Sequence, residues 1–522
     1  MKVAGAFVNE KKKTMITQTK IENIFLLVKS LSKSEKRYFK LYANLQTGDK
    51  VYITLFNLCD KLNSPEEVIT TFQQKYAKKS LEMAMKYLYG TLTDSLVRVK
   101  ERHDIQQKIF NHISKASILV EKNLFNNAFF ELDKAKRLAS LFEFNVLLFH
   151  IRQQELIYQG MQNFEGMTER KLINKQMKLS ELLKQIRSTH QHHQLYDILK
   201  HRILYKDLVR SDNQKKHLND LVLSEYHLMG NSSYKGFEAI KLHLLFQANY
   251  YLHAGNYKSA IRSYQEVITL FEENNYLILN PPIYYLNAIN GILDSLHTMG
   301  LYEEMPFFIQ KLIDIEQGEY AIEFLMKVKC LIYLYKSFCL QNTGKFEKAL
   351  QWLEDNKATF IEKIELVEPI LQLNVYLQMT TLYLYTEQIP LARKSMKKIV
   401  SFGKAFYMLP SYKTVRLVNL ILQTELGNYD FVETEIQAIK RNIQHEKQAY
   451  QTEKLVFKYI QNSQLPVYGN THQRIWKQLQ KYIIAISQSK YERNILRDFN
   501  FVAWIESKFL KTPLKEIIYQ NH

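Results

Sequence analysis

The most regular hydrophobic pattern in the 522-residue chain lies at residues 248–271. Ala260, Ile261, Tyr264, Val267, Ile268 and Phe271 recur at i, i+3/i+4 and i+7, which makes one apolar face of an α-helix. Gly255-Asn256-Tyr257 interrupts a preceding pattern through Ala248 and Tyr251, and a Gly there suits the left-handed end of a helix. The pattern predicts a helix, a tight turn and a second helix, with Ala260 small enough for the two to cross closely. The same device recurs at Asn123-Leu124-Phe125-x-x-Ala128, Gly300-Leu301-Tyr302-x-x-Met305, Gly344-Lys345-Phe346-x-x-Ala349, Glu387-Gln388-Ile389-x-x-Ala392 and Gly427-Asn428-Tyr429-x-x-Val432. Successive turns from 255 onward are 45, 44, 43 and 40 residues apart. The 132 residues between 123 and 255 leave room for two degenerate units, with turns expected near Asn163-Phe164-Glu165-Gly166 and Ser211-Asp212-Asn213. About eight helix pairs are expected.

The ends differ from the middle. Residues 1–14 have no hydrophobic period and read as a disordered extension, so that translation starts at Met1 or Met15. Residues 15–105 read as a basic helical domain, with helices over 21–31, 34–45, 52–62, 66–76 and 80–102 and with Ser34 and Ser80 as N-caps. That domain contains Ser-Lys-Ser-Glu-Lys-Arg-Tyr-Phe (32–39), dense in charge and aromatics. The repeats are expected over 106–465. Long helices with Trp476 and Trp504, over 466–522, are expected to cap the exposed last face.

The turn motif and the later Tyr and Ala positions, clearest over 244–270 and 333–353, resemble the tetratricopeptide-repeat superfamily. The resemblance covers residues 107–440 and departs from that family in its period, about 44 instead of 34. The family's Trp-x-x-Leu-Gly opening is also missing. It implies an all-α chain, an α-solenoid of stacked helix pairs whose first helices line a concave groove that receives a peptide. Placed in register, the groove positions are Asn249, Asn287, Asn290, Asp294, His297, Gln341, Asn342 and Asn374. Amides both donate and accept, so such a row can hold a peptide backbone without demanding one sequence. The Lys and Arg that a dicarboxylate clamp of chaperone-binding members needs beside those Asn residues are missing.

Composition agrees with this reading and narrows it. Fifteen Gly and nine Pro are too few to punctuate an all-β or doubly wound α/β protein of this length. The prolines also fall where a helix tolerates them. Pro281, Pro282, Pro369 and Pro410 stand at starts of first helices, and Pro306 and Pro390 in the first turn of second helices. Three scattered cysteines, no secretory pattern and no long apolar run point to a soluble cytoplasmic protein.

The net charge of +19 raises a second reading, a nucleic-acid-binding regulator. Residues 66–102 have the outline of a helix-turn-helix, with Lys36, Arg37, Lys78, Lys79, Arg98 and Arg102 as candidate contacts. The excess is carried by Lys, a solvated point charge, more than by Arg, which supplies bidentate contacts. No phosphate-binding loop, nucleophile turn or zinc helix is found, and neither an enzyme nor a cofactor is expected. His193, Asp197 and His201, at i, i+4 and i+8, are a weak candidate for a metal site.

Overall fold

The computed structural model describes residues 19–45, 50–77, 79–100, 104–205, 216, 218–231, 236–278, 281–403, 411–446, 450–463, 470–489 and 492–520. The N-terminal extension, Met1 and Met15, Lys78, Arg102, the turn expected at 211–213 and Pro410 lie outside the described residues. All regular structure among the described residues is helical, as the sparse turn formers require, with short 3-10 turns at Asn275–Leu277 and Ile364–Leu366. The chain divides into two compact units. One holds the described residues up to Lys184 with Ala321–Glu323, the other Gln185–Tyr320 with Phe324 onward.

The first unit begins with α1 (19–30), α2 (Lys33–Leu45), α3 (Val51–Lys61), α4 (Pro65–Lys75) and α5 (Leu81–Lys100). They share one core in which Phe39, Leu55, Phe56, Phe72, Leu88 and Leu92 are fully buried. The Phe39 and Phe56 rings lie 4.5 Å apart. Ser80 caps α5 as expected, its Oγ accepting the Met83 N–H at 3.3 Å. Ser34 does not cap α2. Ser32 does, because Glu35 stands three residues on: Ser32 Oγ accepts the Glu35 N–H at 3.2 Å and the Glu35 carboxylate accepts the Ser32 N–H at 2.8 Å. With Lys36 paired to Asp60 at 2.7 Å, segment 32–39 is taken up by a cap, a core ring and an ion pair.

Next come α6 (Ile105–Glu121), α7 (Phe125–Leu141), α8 (Asn145–Met161) and α9 (Glu169–Tyr205), with left-handed residues at Asn123, Glu143, Asn163, Phe164 and Gly166 in the turns. Buried Ala128, Ala135 and Ala139 let α7 pack closely on its neighbours. Ion pairs tie each helix to the next: His112 with Glu131 at 2.6 Å, Lys136 with Glu155 at 3.1 Å, and Glu155 with Lys175 at 2.5 Å. The turn expected at 163–166 is present, and between it and the second expected turn a single helix, α9, stands where two were implied. This helix runs unbroken for 37 residues, because no Gly or Pro stands between 169 and 205.

The second unit takes in the later part of α9 and then α10 (Asn219–Asn231), α11 (Phe237–His253), α12 (Tyr257–Glu273), α13 (Ile283–Met299), α14 (Met305–Glu316), α15 (Ile322–Asn342), α16 (Phe346–Ile361), α17 (Pro369–Tyr385), α18 (Ile389–Ser401), α19 (Ser411–Glu425) and α20 (Tyr429–Glu446). It ends in α21 (Gln451–Ser463), α22 (Asn470–Gln488), α23 (Arg493–Leu496), α24 (Phe501–Leu510) and α25 (Leu514–Gln520). Each turn expected from 255 onward is built the same way. Gly255, Gly300, Gly344, Glu387 and Gly427 have φ of 76°, 76°, 71°, 58° and 71°. The next residue's N–H reaches the carbonyl five residues back, as in Asn256 to Tyr251 at 2.8 Å and Asn428 to Gln423 at 3.0 Å. This is the Schellman helix end. Pro282 precedes α13, and Pro306, Pro369 and Pro390 occupy first turns.

Gly291 lets α13 approach α12, since a Cβ there would stand 2.3 Å from the buried Tyr264 ring. Gly291→Ala is expected to cost about 1–3 kcal/mol in urea unfolding. An unchanged midpoint would contradict so close a crossing.

Candidate functional site

The expected groove residues do not form one uniform row. Asn287, Asn290, Asp294 and His297 share a face of α13, as their i, i+3, i+7, i+10 spacing dictates. Asn249 and Asn342 are turned back onto their own helices, donating to the Leu245 and Phe338 carbonyls at 2.7 and 2.9 Å. Gln341 is buried, its Nε2 without a hydrogen bond, and Asn374 is half-buried.

The α13 face gathers partners from three directions. From α15, the Tyr335 hydroxyl donates to Asn290 Oδ1 at 2.8 Å, and Phe338 stacks on His297 with centroids 3.9 Å apart. His253 ends α11. From the C-terminus, Arg497 donates to Asp294 Oδ1 at 2.8 Å, a contact between residues 203 positions apart. Both partners of that pair are about a quarter exposed. Asp294 holds the guanidinium firmly charged against the cost of its burial. Burial, joined by the nearby Arg497 cation, pushes His297 down to about 3 against the opposing pull of Asp294. Burial likewise takes His253 to about 4. Both imidazoles are therefore neutral at pH 7, while burial raises the neighbouring Asp498 carboxyl above its ordinary value against the pull of Arg497.

Residues 492–518 extend this contact to other hairpins instead of only closing the last face. The Phe499 ring stacks on Tyr385 at 5.0 Å, and the Tyr385 hydroxyl accepts the Asn500 N–H at 2.8 Å. Trp504 Nε1 donates to Glu425 at 3.0 Å, and Lys508 pairs with the same carboxylate at 2.7 Å. Ala503, Ile517 and Ile518 pack on Phe346, and Lys515 pairs with Glu347. The Glu492 carboxylate accepts the N–H groups of Gln451 and Thr452 at 2.6 and 3.1 Å. Phe346, Glu347, Tyr385 and Glu425 each lie within three residues of a hairpin turn, so the segment follows the turn edge of the hairpins. Sequence reading missed Arg497, Tyr335, Tyr385 and Glu425. The only signal was the cluster Arg497-Asp498-Phe499-Asn500-Phe501, charged and aromatic outside any helical period.

A second titratable cluster joins α9, α10 and α11. Buried Glu225 lies 2.7 Å from His243 Nδ1 and 3.3 Å from His192 Nδ1. Burial alone would raise its carboxyl, but the two imidazoles outweigh that and hold it below the ordinary value. His193 lies 3.3 Å from Glu238, which also pairs with Lys241 at 2.6 Å. His193, Asp197 and His201 do not converge. Among the described residues no group of three or more His, Cys, Asp or Glu is placed to hold a metal ion.

Of the candidate nucleic-acid contacts, Lys36 is engaged by Asp60 and the Arg98 guanidinium covers the Tyr42 ring at 5.0 Å. Arg37 is exposed, and Lys79 follows the α4 end, its N–H bonded to the Tyr76 carbonyl at 3.0 Å. An open cleft of about 510 Å³ on α22 is lined by Gln473, Arg474, Lys477, Gln478 and Lys481, with no carboxylate or imidazole among these described residues to do acid–base work. Burial raises the Cys59 and Cys330 thiols to about 12 and Cys339 to about 11, which removes them as nucleophiles. Among the described residues no helix is long and apolar enough to cross a membrane. Compared with family models, with curated proteins and with solved structures, the chain matches none.

Proposed function

We propose that this chain is a non-enzymatic, cytoplasmic protein-interaction scaffold, a tetratricopeptide-like α-solenoid that binds a partner protein or peptide along successive hairpins and needs no cofactor. The observation that carries this reading is the recurrence, at spacings of 45, 44, 43 and 40 residues, of one helix-ending turn. Repetition of one hairpin without repetition of a reactive constellation is what a docking surface requires. The polar face of α13 supplies hydrogen-bonding groups for a backbone, and the N-terminal helical domain offers a second docking surface. The nucleic-acid reading gains no support from Lys36 and Arg98, which are spent within the fold.

Affinity capture with the full chain tests the reading. The chain is expected to retain a defined set of proteins, and the combined Asn287→Ala and Asn290→Ala variant is expected to lose at least one of them. No retained protein, or an identical set from the variant, would contradict the proposal.

A further inference from the structure

Residues 492–518 meet the hairpins as a ligand meets a receptor. Of their anchors Arg497, Phe499 and Trp504, the Arg and the Trp are of the types that dominate binding hot spots, and all three are ringed by the more exposed pairs of Lys508 and Lys515. Asp294, Tyr385, Glu425 and the Phe346–Glu347 pair, which receive them, belong to separate hairpins. The seat is also incompletely satisfied. Gln341 is 4% exposed with no hydrogen bond to its Nε2. Buried polar atoms left unpaired favour an occupant that pairs them.

We propose that this turn-edge track is a docking surface for a partner segment of the same chemistry, a guanidinium followed two and seven positions later by aromatic side chains. The chain's own segment 492–518 is its resident competitor. The guanidinium takes Asp294 beside Asn290 and Tyr335, and the first aromatic stacks on Tyr385. An acceptor on the incoming segment pairs Gln341 Nε2, which Arg497-Asp498-Phe499 leaves unpaired. An occupant tethered in the same chain acts at a high effective concentration, so the unaltered protein binds such a segment weakly until its own is displaced. This inference rests on the scaffold reading and names the partner's chemistry.

The probe is a fluorescein-labelled peptide of residues 492–510, followed by anisotropy with the full chain. Arg497→Ala weakens the resident segment, so that chain is expected to bind the probe at least about tenfold more tightly than the unaltered chain. Adding Asp294→Asn is expected to abolish the gain. Equal affinity in both chains, or no binding to an Arg497→Ala chain of unchanged helicity, would overturn the proposal. Hydrogen exchange on the unaltered chain needs no variant. The Asn500, Ala503 and Trp504 amides are expected to exchange faster than those of α17, and equally slow exchange would make the segment a fixed part of the core and overturn the proposal. A failed peptide test with partner capture intact would leave the scaffold reading standing; failed capture would remove the scaffold reading itself.

Discussion

Between pH 7 and pH 4 the second unit is expected to lose about 3 kcal/mol of stability through His297 alone. An unfolded histidine takes up a proton near its ordinary value of 6.5, whereas His297 in the fold does so only at about 3. Across that window the unfolded chain binds more protons, so acid favours unfolding. The contribution is complete above pH 6.5 and is lost progressively as the pH falls toward 3, at about 1.4 kcal/mol per pH unit. His253, lowered to about 4, acts in the same direction. Glu225, held below its ordinary carboxylate value, adds a further loss as the pH falls below about 4.5. His297→Phe keeps a ring against Phe338 and removes the titration, so its urea midpoint should fall much less between pH 7 and pH 4. Equal falls in the variant and the unaltered chain would show that His297 is not buried neutral beside Arg497.

Phe39→Ala is expected to destabilise the N-terminal helices by about 3–5 kcal/mol. Phe39 is fully buried, and its ring lies 4.5 Å from that of Phe56 at a tilt of 39°, Phe56 being fully buried as well. Removing the ring forfeits its transfer energy and leaves a cavity lined by large side chains that cannot collapse around it. Denaturant unfolding monitored by hydrogen exchange over residues 19–100 should show the loss. A change under about 1 kcal/mol would mean that α2 does not seat on this core.

The legible parts of the fold are the local ones. Hairpin turns are set by a few adjacent residues, and Gly255, Gly300, Gly344 and Gly427 mark them because the backbone there is left-handed. Glu387 and Asn123 adopt the same conformation without Gly, and only alignment to the other turns reveals them. The Ser32 cap was readable from Glu35 three positions on, a pairing that reading Ser34 as the cap overlooked. The length of α9 was also readable, from the absence of breakers, but an assumed constant period hid it. The site was less legible. Asn249 and Asn342 hydrogen-bond their own helices, a local competition that periodicity does not report. The Asp294–Arg497 pair depends on a return of the chain that no short window contains.

Hydrogen exchange of the full chain with and without its captured partner tests the docking reading most directly. New protection is expected on α13, α15 and α17, strongest at the amides around Asn290 and Asp294. Protection confined to residues 19–100, with the hairpins unchanged, would contradict it and transfer binding to the basic N-terminal helices.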